Sequence, residues 1–341
     1  LAWVEKSFVK IVNLFLVFAW ISILLGVFCI WLLYRPRVSQ ETIIPPTTSS
    51  LPADDAPWRA PDVSTIPKGE DGALIHYGKQ LIEHTASFLG PSGSVATISN
   101  GMNCQNCHLK AGTLPFGNNY SAVASTYPKF RERSGTIESI EKRVNDCLER
   151  SLNGQSLDST SREMRAVVAY INWLGKEVPK NVKPKGAGLA ELKHLDRAAD
   201  PVKGKMVFEQ HCVRCHGTNG EGLREEKNSV EWKYPPLWGD GSYNYGAGLF
   251  RLSRFAGYVK MNMPNDLANY QKPVLTDEEA WDVAAFVNSM PRPPKDISMD
   301  WPVISSKPFD HPFGPYADSF TETQHKLGPF NPIIEAKKKI K

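Results

Sequence analysis

Cys104-Gln105-Asn106-Cys107-His108, with a second copy at Cys212-Val213-Arg214-Cys215-His216, decides how this chain folds. In each string, two thiols two residues apart can form thioether bonds to the two vinyl groups of one haem. The adjacent His then supplies an axial nitrogen to the iron. Two copies in a chain with only six cysteines predict two covalently attached haem c groups, held by Cys104, Cys107, Cys212 and Cys215 with His108 and His216 as axial ligands. Zinc is the alternative for such spacing, but it needs four ligands converging from a pair of knuckles. Here each string lies inside its own copy of a longer repeat, which favours separate haem pockets.

The repeat is visible on both sides of the strings. Gly78-Lys79-Gln80-Leu81-Ile82 precedes the first as Gly204-Lys205-Met206-Val207-Phe208 precedes the second. Downstream, Thr160 with Glu163 and Thr276 with Glu279 match the capping box that opens a helix. The helices then run through 167–172 and 283–288 and stop at Gly175 and Pro291. A first helix, a haem-attachment loop, irregular loops and a last helix is the order of a small cytochrome c domain. The expected fold is therefore all-α: two cytochrome c domains in tandem, at 58–180 and 181–294, with an extension at 295–341. Trp301, Phe309, Phe313, Tyr316 and Phe320 give that extension more apolar surface than a free tail carries, so it is expected to wrap over its own domains or a partner.

Upstream of the repeat, Ile11 to Tyr34 contains no charged side chain. At about 1.5 Å per residue it is long enough to cross a bilayer core of roughly 30 Å. Residues 1–37 are read as a single transmembrane anchor and the Pro/Ser/Thr-rich stretch 38–57 as a tether. Lys6 and Lys10 face Arg35 and Arg37 across the span, so charge bias leaves orientation open. Haem attachment of this type takes place outside the bacterial cytoplasmic membrane. The expected location is that inner membrane, with the haem domains in the periplasm. A net charge of +4 with acids and bases interspersed gives no argument for nucleic acid.

Once the haems take four cysteines and Cys29 lies in the apolar span, Cys147 has no disulfide partner. The segment 137–154 is expected to be a helix, with Ile137, Ile140, Val144 and Leu148 as its apolar stripe. Arg143, Cys147 and Ser151 lie four apart along one side of it. A buried Cys beside a surface Arg is one reading of that spacing. The other is a distal haem ligand, because no Met lies between the first haem string and the last helix of that domain. In the second domain the corresponding stretch is Lys260-Met261-Asn262-Met263-Pro264. Met263 is the expected ligand, with Met261 and Lys260 as competitors.

The runs Gly101 to Leu109, Pro115 to Tyr120 and Asn145-Asp146-Cys147-Leu148-Glu149-Arg150-Ser151-Leu152-Asn153-Gly154 closely resemble the dihaem thiosulfate dehydrogenases, which also reduce tetrathionate. The resemblance covers about 58–294, and Cys-x-x-x-Ser-x-Asn-Gly is far more specific than a haem string. It implies a catalytic first haem with His/Cys coordination and a second haem that relays electrons outward to a cytochrome or a membrane respiratory complex. It assigns Cys147 as distal ligand, able to bond transiently to a substrate sulfur, and Arg133, Arg143 and Ser151 as substrate-side residues. This suits the chemistry, since thiosulfate is a dianion and two must meet. The membrane span and the long tail depart from the usual soluble form. They keep open a non-catalytic dihaem electron-transfer subunit. A dihaem peroxidase would need an open haem site, and Cys147 fills the obvious one.

Overall fold

The computed structural model describes residues 20–26, 28, 56–227 and 229–340. The chain divides into two units, Leu1–Asp54 and Asp55–Lys341. In the first, residues 20–26 and 28 are helical and exposed. The rest of the expected span at 11–34, Cys29 and nearly all of the tether lie outside the described residues. Among the described residues no helix is long and apolar enough to cross a membrane.

In the second unit, two copies of one packing motif follow each other. Helix α1 (Glu70–Glu83) crosses α3 (Arg162–Leu174), with α2 (Ile140–Arg150) between them in the chain. Helix α4 (Pro201–His211) crosses α6 (Asp277–Ser289), with α5 (Leu252–Asn262) beside it. The repeated glycines explain the crossings. A Cβ on Gly78 would sit 1.9 Å from the Ala166 carbonyl oxygen, and one on Gly204 would sit 1.9 Å from that of Asp282. Only a residue without a side chain lets the two backbones approach so closely.

The caps correct two expectations. Thr276 and Glu279 make the capping box of α6, but Thr160 does not open α3. Ser161 does, accepting from Met164 N, while Thr160 N donates to Asp158 and Glu163 accepts from the Tyr77 hydroxyl. Helix α2 starts at Ile140 on a Ser139 cap, not at 137. Ile137 instead belongs to a hairpin of β1 (Lys129–Arg131) and β2 (Thr136–Glu138), where it pairs with Phe130 and is 73% exposed. A second small hairpin, β3 (Leu223–Arg224) with β4 (Trp232–Tyr234), lies after the second haem string. The fold is thus helical with two short hairpins rather than purely α.

Each domain has its own core, around Leu81, Ile82, Tyr170 and Leu174 in the first and Phe208, Val283 and Trp281 in the second. A third core joins them: Met102, Leu148 and Leu152 of the first domain pack with Tyr243, Ala247 and Phe250 of the second. The tail packs on both. Phe330 and Ile333 enter the second domain's core, and Asp300 pairs bidentately with Arg150 of α2 at 2.7 Å on both arms.

Candidate active site

The first haem string is tied to its surroundings by backbone contacts. Cys104 N donates to the Thr85 hydroxyl at 2.9 Å, and the Gln105 amide donates to Glu83 O at 2.8 Å at the end of α1. His108 stacks on Tyr120 with ring centroids 4.5 Å apart, and its Nδ1 donates to Asn118 O at 2.6 Å. A carbonyl can only accept, so this contact fixes the tautomer and leaves Nε2 free as a metal ligand.

Opposite it stands Cys147, carried by α2 and within hydrogen-bonding reach of His108. Burial raises the Cys147 thiol pKa, but the Arg143 guanidinium one turn back and the facing His108 imidazole outweigh it and bring it down to about 7. Burial pushes Cys104 up to about 11, and Cys107 and Cys212 up to about 12. Cys147 therefore ionises far more readily than those three thiols. His108 and Cys147 would offer an imidazole nitrogen and a thiolate to the iron of a haem attached at Cys104 and Cys107, so the donor set fits that group.

The three substrate-side residues expected from the sequence are placed differently from one another. Arg143, with a side chain about one third exposed (32%), stands beside Cys147 and is 3.9 Å from Asp146. Arg133 is 12% exposed and donates to Asp146 at 2.8 Å, with Lys142 on the other oxygen at 2.6 Å. Arg133 thus secures a buried carboxylate next to Cys147 rather than facing solvent. Ser151 caps α2 and donates its backbone N–H to Cys147 O at 2.8 Å. Sequence reasoning missed Asp146, although it lies three residues after Arg143 and four after Lys142, the spacing of facing charges on a helix. It also missed the hairpin residues Lys129, Arg131 and Glu138, which reach this side only through the fold.

The second site is a cavity of about 540 Å³, lined among others by Cys212, Cys215, His216, Tyr258 and Met263. His216 Nδ1 donates to Pro235 O at 2.9 Å, leaving its Nε2 free as in the first site. Met263 follows the end of α5 and faces the cavity. The Lys260 ammonium is turned away, bonded to Leu275 O at 2.6 Å and to Asp277 at 2.9 Å, and neither it nor Met261 lines the cavity. Asn106 and Cys107 of the first string line this same cavity. The Tyr258 hydroxyl donates to Asn106 O at 3.0 Å and the Asn262 amide to Phe116 O at 3.0 Å, so the two attachment loops share a wall.

Two helical units of this kind, each with an attachment string and a histidine whose Nε2 is left for a metal, define a dihaem c-type cytochrome. Comparison with known proteins agrees: residues 94–179 match the SoxA/TsdA cytochrome c domain and residues 201–291 match cytochrome c. The chain is 38% identical to a thiosulfate dehydrogenase of Psychrobacter arcticus over 247 residues, covering 72% of this chain and 71% of that one. It is 34% identical to that of Allochromatium vinosum over 267 residues, covering 77% and 91%. It belongs to the thiosulfate dehydrogenase family and carries two covalently bound c-type haems. A solved thiosulfate dehydrogenase, TsdBA of Marichromatium purpuratum in its as-isolated form, superposes with a TM-score of 0.63 at 29% identity. The match covers 70% of this chain and half (50%) of that longer one.

Proposed function

We propose that this chain oxidises two thiosulfate ions to tetrathionate at the Cys147 site and passes the electrons through the second haem to an external cytochrome or respiratory complex. The observation that carries the reading is Cys147 itself: a half-buried thiol whose pKa Arg143 helps bring down to about 7, facing the pinned His108. In the reaction one sulfur–sulfur bond forms between the outer sulfurs of two thiosulfates, two electrons leave and no proton is released. The haems supply one-electron acceptance, one electron each. What the chain's own residues do is bind and position. Arg143 offsets the charge of a dianion next to Cys147, Asp146 with Arg133 holds that turn of α2 in place, and Ser151 lies one turn further along. The shared wall of Asn106, Cys107 and Tyr258 supports a short path between the haems. The same parts would serve the reverse reduction of tetrathionate.

For the second haem we propose His216 and Met263 as axial ligands, because both line its cavity while Lys260 is engaged elsewhere. We also propose that the domains work outside a cytoplasmic membrane, anchored through 11–34, on the strength of the uncharged run and the site of c-type haem attachment. Stopped-flow haem reduction by thiosulfate tests the activity. Arg143→Ala should lose about 1.5 to 3 kcal/mol of charge-assisted hydrogen bonding, roughly tenfold or more in kcat/KM. With an uncharged reductant the two proteins should differ far less than with thiosulfate. A wild-type protein that thiosulfate does not reduce would leave the electron-carrier reading in its place.

A further inference from the structure

Joining two thiosulfates brings four negative charges together, and Arg133, one of the two arginines expected to face them, is committed to Asp146 at 2.8 Å. Further cationic groups stand on the β1/β2 hairpin. Lys129 and Arg131 alternate along β1 and so lie on the same face, opposite Glu138 and Thr136 on β2. Lys183 belongs to a segment docked against the same region, since Asn181 N donates to Ser125 O at 2.9 Å and the Ser125 hydroxyl to Val182 O at 2.7 Å. Tyr127 lies amid this group, 7% exposed, with the Lys129 ammonium 5.0 Å from its ring and with Arg131, Arg143 and Cys147 all close enough to act on its hydroxyl.

Charge is poorly balanced there. The ammonium of Lys129 is lowered in pKa first by burial and then by the neighbouring charges of Arg131, Lys183 and Arg143. Glu138, the cross-strand partner of Lys129, is 1% exposed, its oxygens accept no hydrogen bond, and Arg131 approaches it only to 3.8 Å. Asp146 is already matched by Arg133 and Lys142. Crowded like charges of this kind are unfavourable in the free protein and are relieved when an anion enters.

We propose that Lys129 and Lys183, with Arg131 behind them, form the seat of the second thiosulfate dianion, holding it beside the one at Arg143 and Cys147. The seat rests on the thiosulfate reading above and adds to it where the second substrate binds. Lys129 and Lys183 are positioning residues, so their removal should act on binding rather than on the electron chemistry. In the haem-loaded protein, the double variant Lys129→Gln/Lys183→Gln should raise the half-saturating thiosulfate concentration about tenfold or more and flatten the fall of kcat/KM with ionic strength. Its maximal rate should change far less, and the midpoint potentials of both haems should stay as in wild type. Lys129→Arg/Lys183→Arg should restore binding. If wild type oxidises thiosulfate and the glutamine variant has an unaltered half-saturating concentration, the seat is overturned while the Cys147 and Arg143 reading stands. If the variant instead shifts a haem potential with unaltered half-saturation, the lysines serve the haem propionates and the proposal is again overturned. A wild type inert to thiosulfate removes the underlying reading as well.

Discussion

At Cys147 three forces act on one sulfur: burial that disfavours the thiolate, a guanidinium one turn away that favours it, and a histidine opposite. Replacing it by Ala keeps the helix and removes only the thiol. Cys147→Ala should retain both haems, lose the thiolate signature of the ferric first haem in absorption and electron paramagnetic resonance, and lose thiosulfate turnover. An unchanged ferric spectrum would show that this sulfur is not a ligand. The cysteines and histidines of the strings are legible from sequence because covalent attachment demands contiguous residues. Cys147 is singled out in the sequence because it is left without a partner and Met263 because it precedes Pro264, and the fold sets the first beside His108 and the second on the cavity with His216. The surroundings of Asp146 are not legible, since Arg133 comes to it from the β1/β2 hairpin across a gap of 13 residues. No local pattern marks which arginine will face solvent and which will be spent on a buried acid.

Helix pairing carries the architecture, and it rests on two glycines at matching positions. The pentads at 78–82 and 204–208 announce the repeat in the sequence, but only the structure shows that Gly78 and Gly204 lie at backbone-to-backbone crossings. Intrinsic helix propensity favours Ala over Gly by about 0.8 to 1 kcal/mol. At Gly204 the overlap with Asp282 O reverses that preference, because a backbone carbonyl cannot swing aside as a side chain can. Gly204→Ala should therefore destabilise the second domain by roughly 2 kcal/mol, lowering its thermal midpoint by about 4 °C or more in circular dichroism melts. Gly248→Ala, where an added methyl meets nothing within 4 Å, is the control and should stay within about 0.5 kcal/mol of wild type. Element boundaries were less legible for equally local reasons. Thr160 and Ser161 are adjacent good caps, and the turn at Asp158 takes up the first of them. Ile137 continues the apolar stripe of α2 by spacing, yet Ser139 caps the helix two residues later and leaves Ile137 on a strand facing solvent.

On the scale of the molecule, the tail after Pro294 acts as a strap across both cytochrome units. It joins Asp300 to Arg150 of the first and sets Trp301 N on Arg133 O at 2.7 Å. It also sinks Phe330 and Ile333 into the core of the second. Asp310 is the buried fastening on the second unit: its oxygens accept from Arg251 and from both the backbone and the hydroxyl of Ser253. Burial alone would raise the Asp310 carboxyl, but Arg251 and the Ser253 donors hold it below the usual carboxylate value. A carboxylate whose folded pKa is depressed contributes its full stability above the unfolded value of about 4, and that stability is lost as pH falls through the folded pKa. Removing one partner of such a buried pair costs about 3 kcal/mol, since the remaining donors are left unsatisfied. Asp310→Ala should thus loosen the strap at pH 7, seen as faster protease cleavage after residue 294 and a lower thermal midpoint. Acidification should narrow the gap between the two proteins once the pH drops below about 4, because wild type then loses the same charge. A difference in midpoint that stayed constant from pH 7 to about pH 2 would mean that Asp310 acts by shape and not as a charged partner of Arg251.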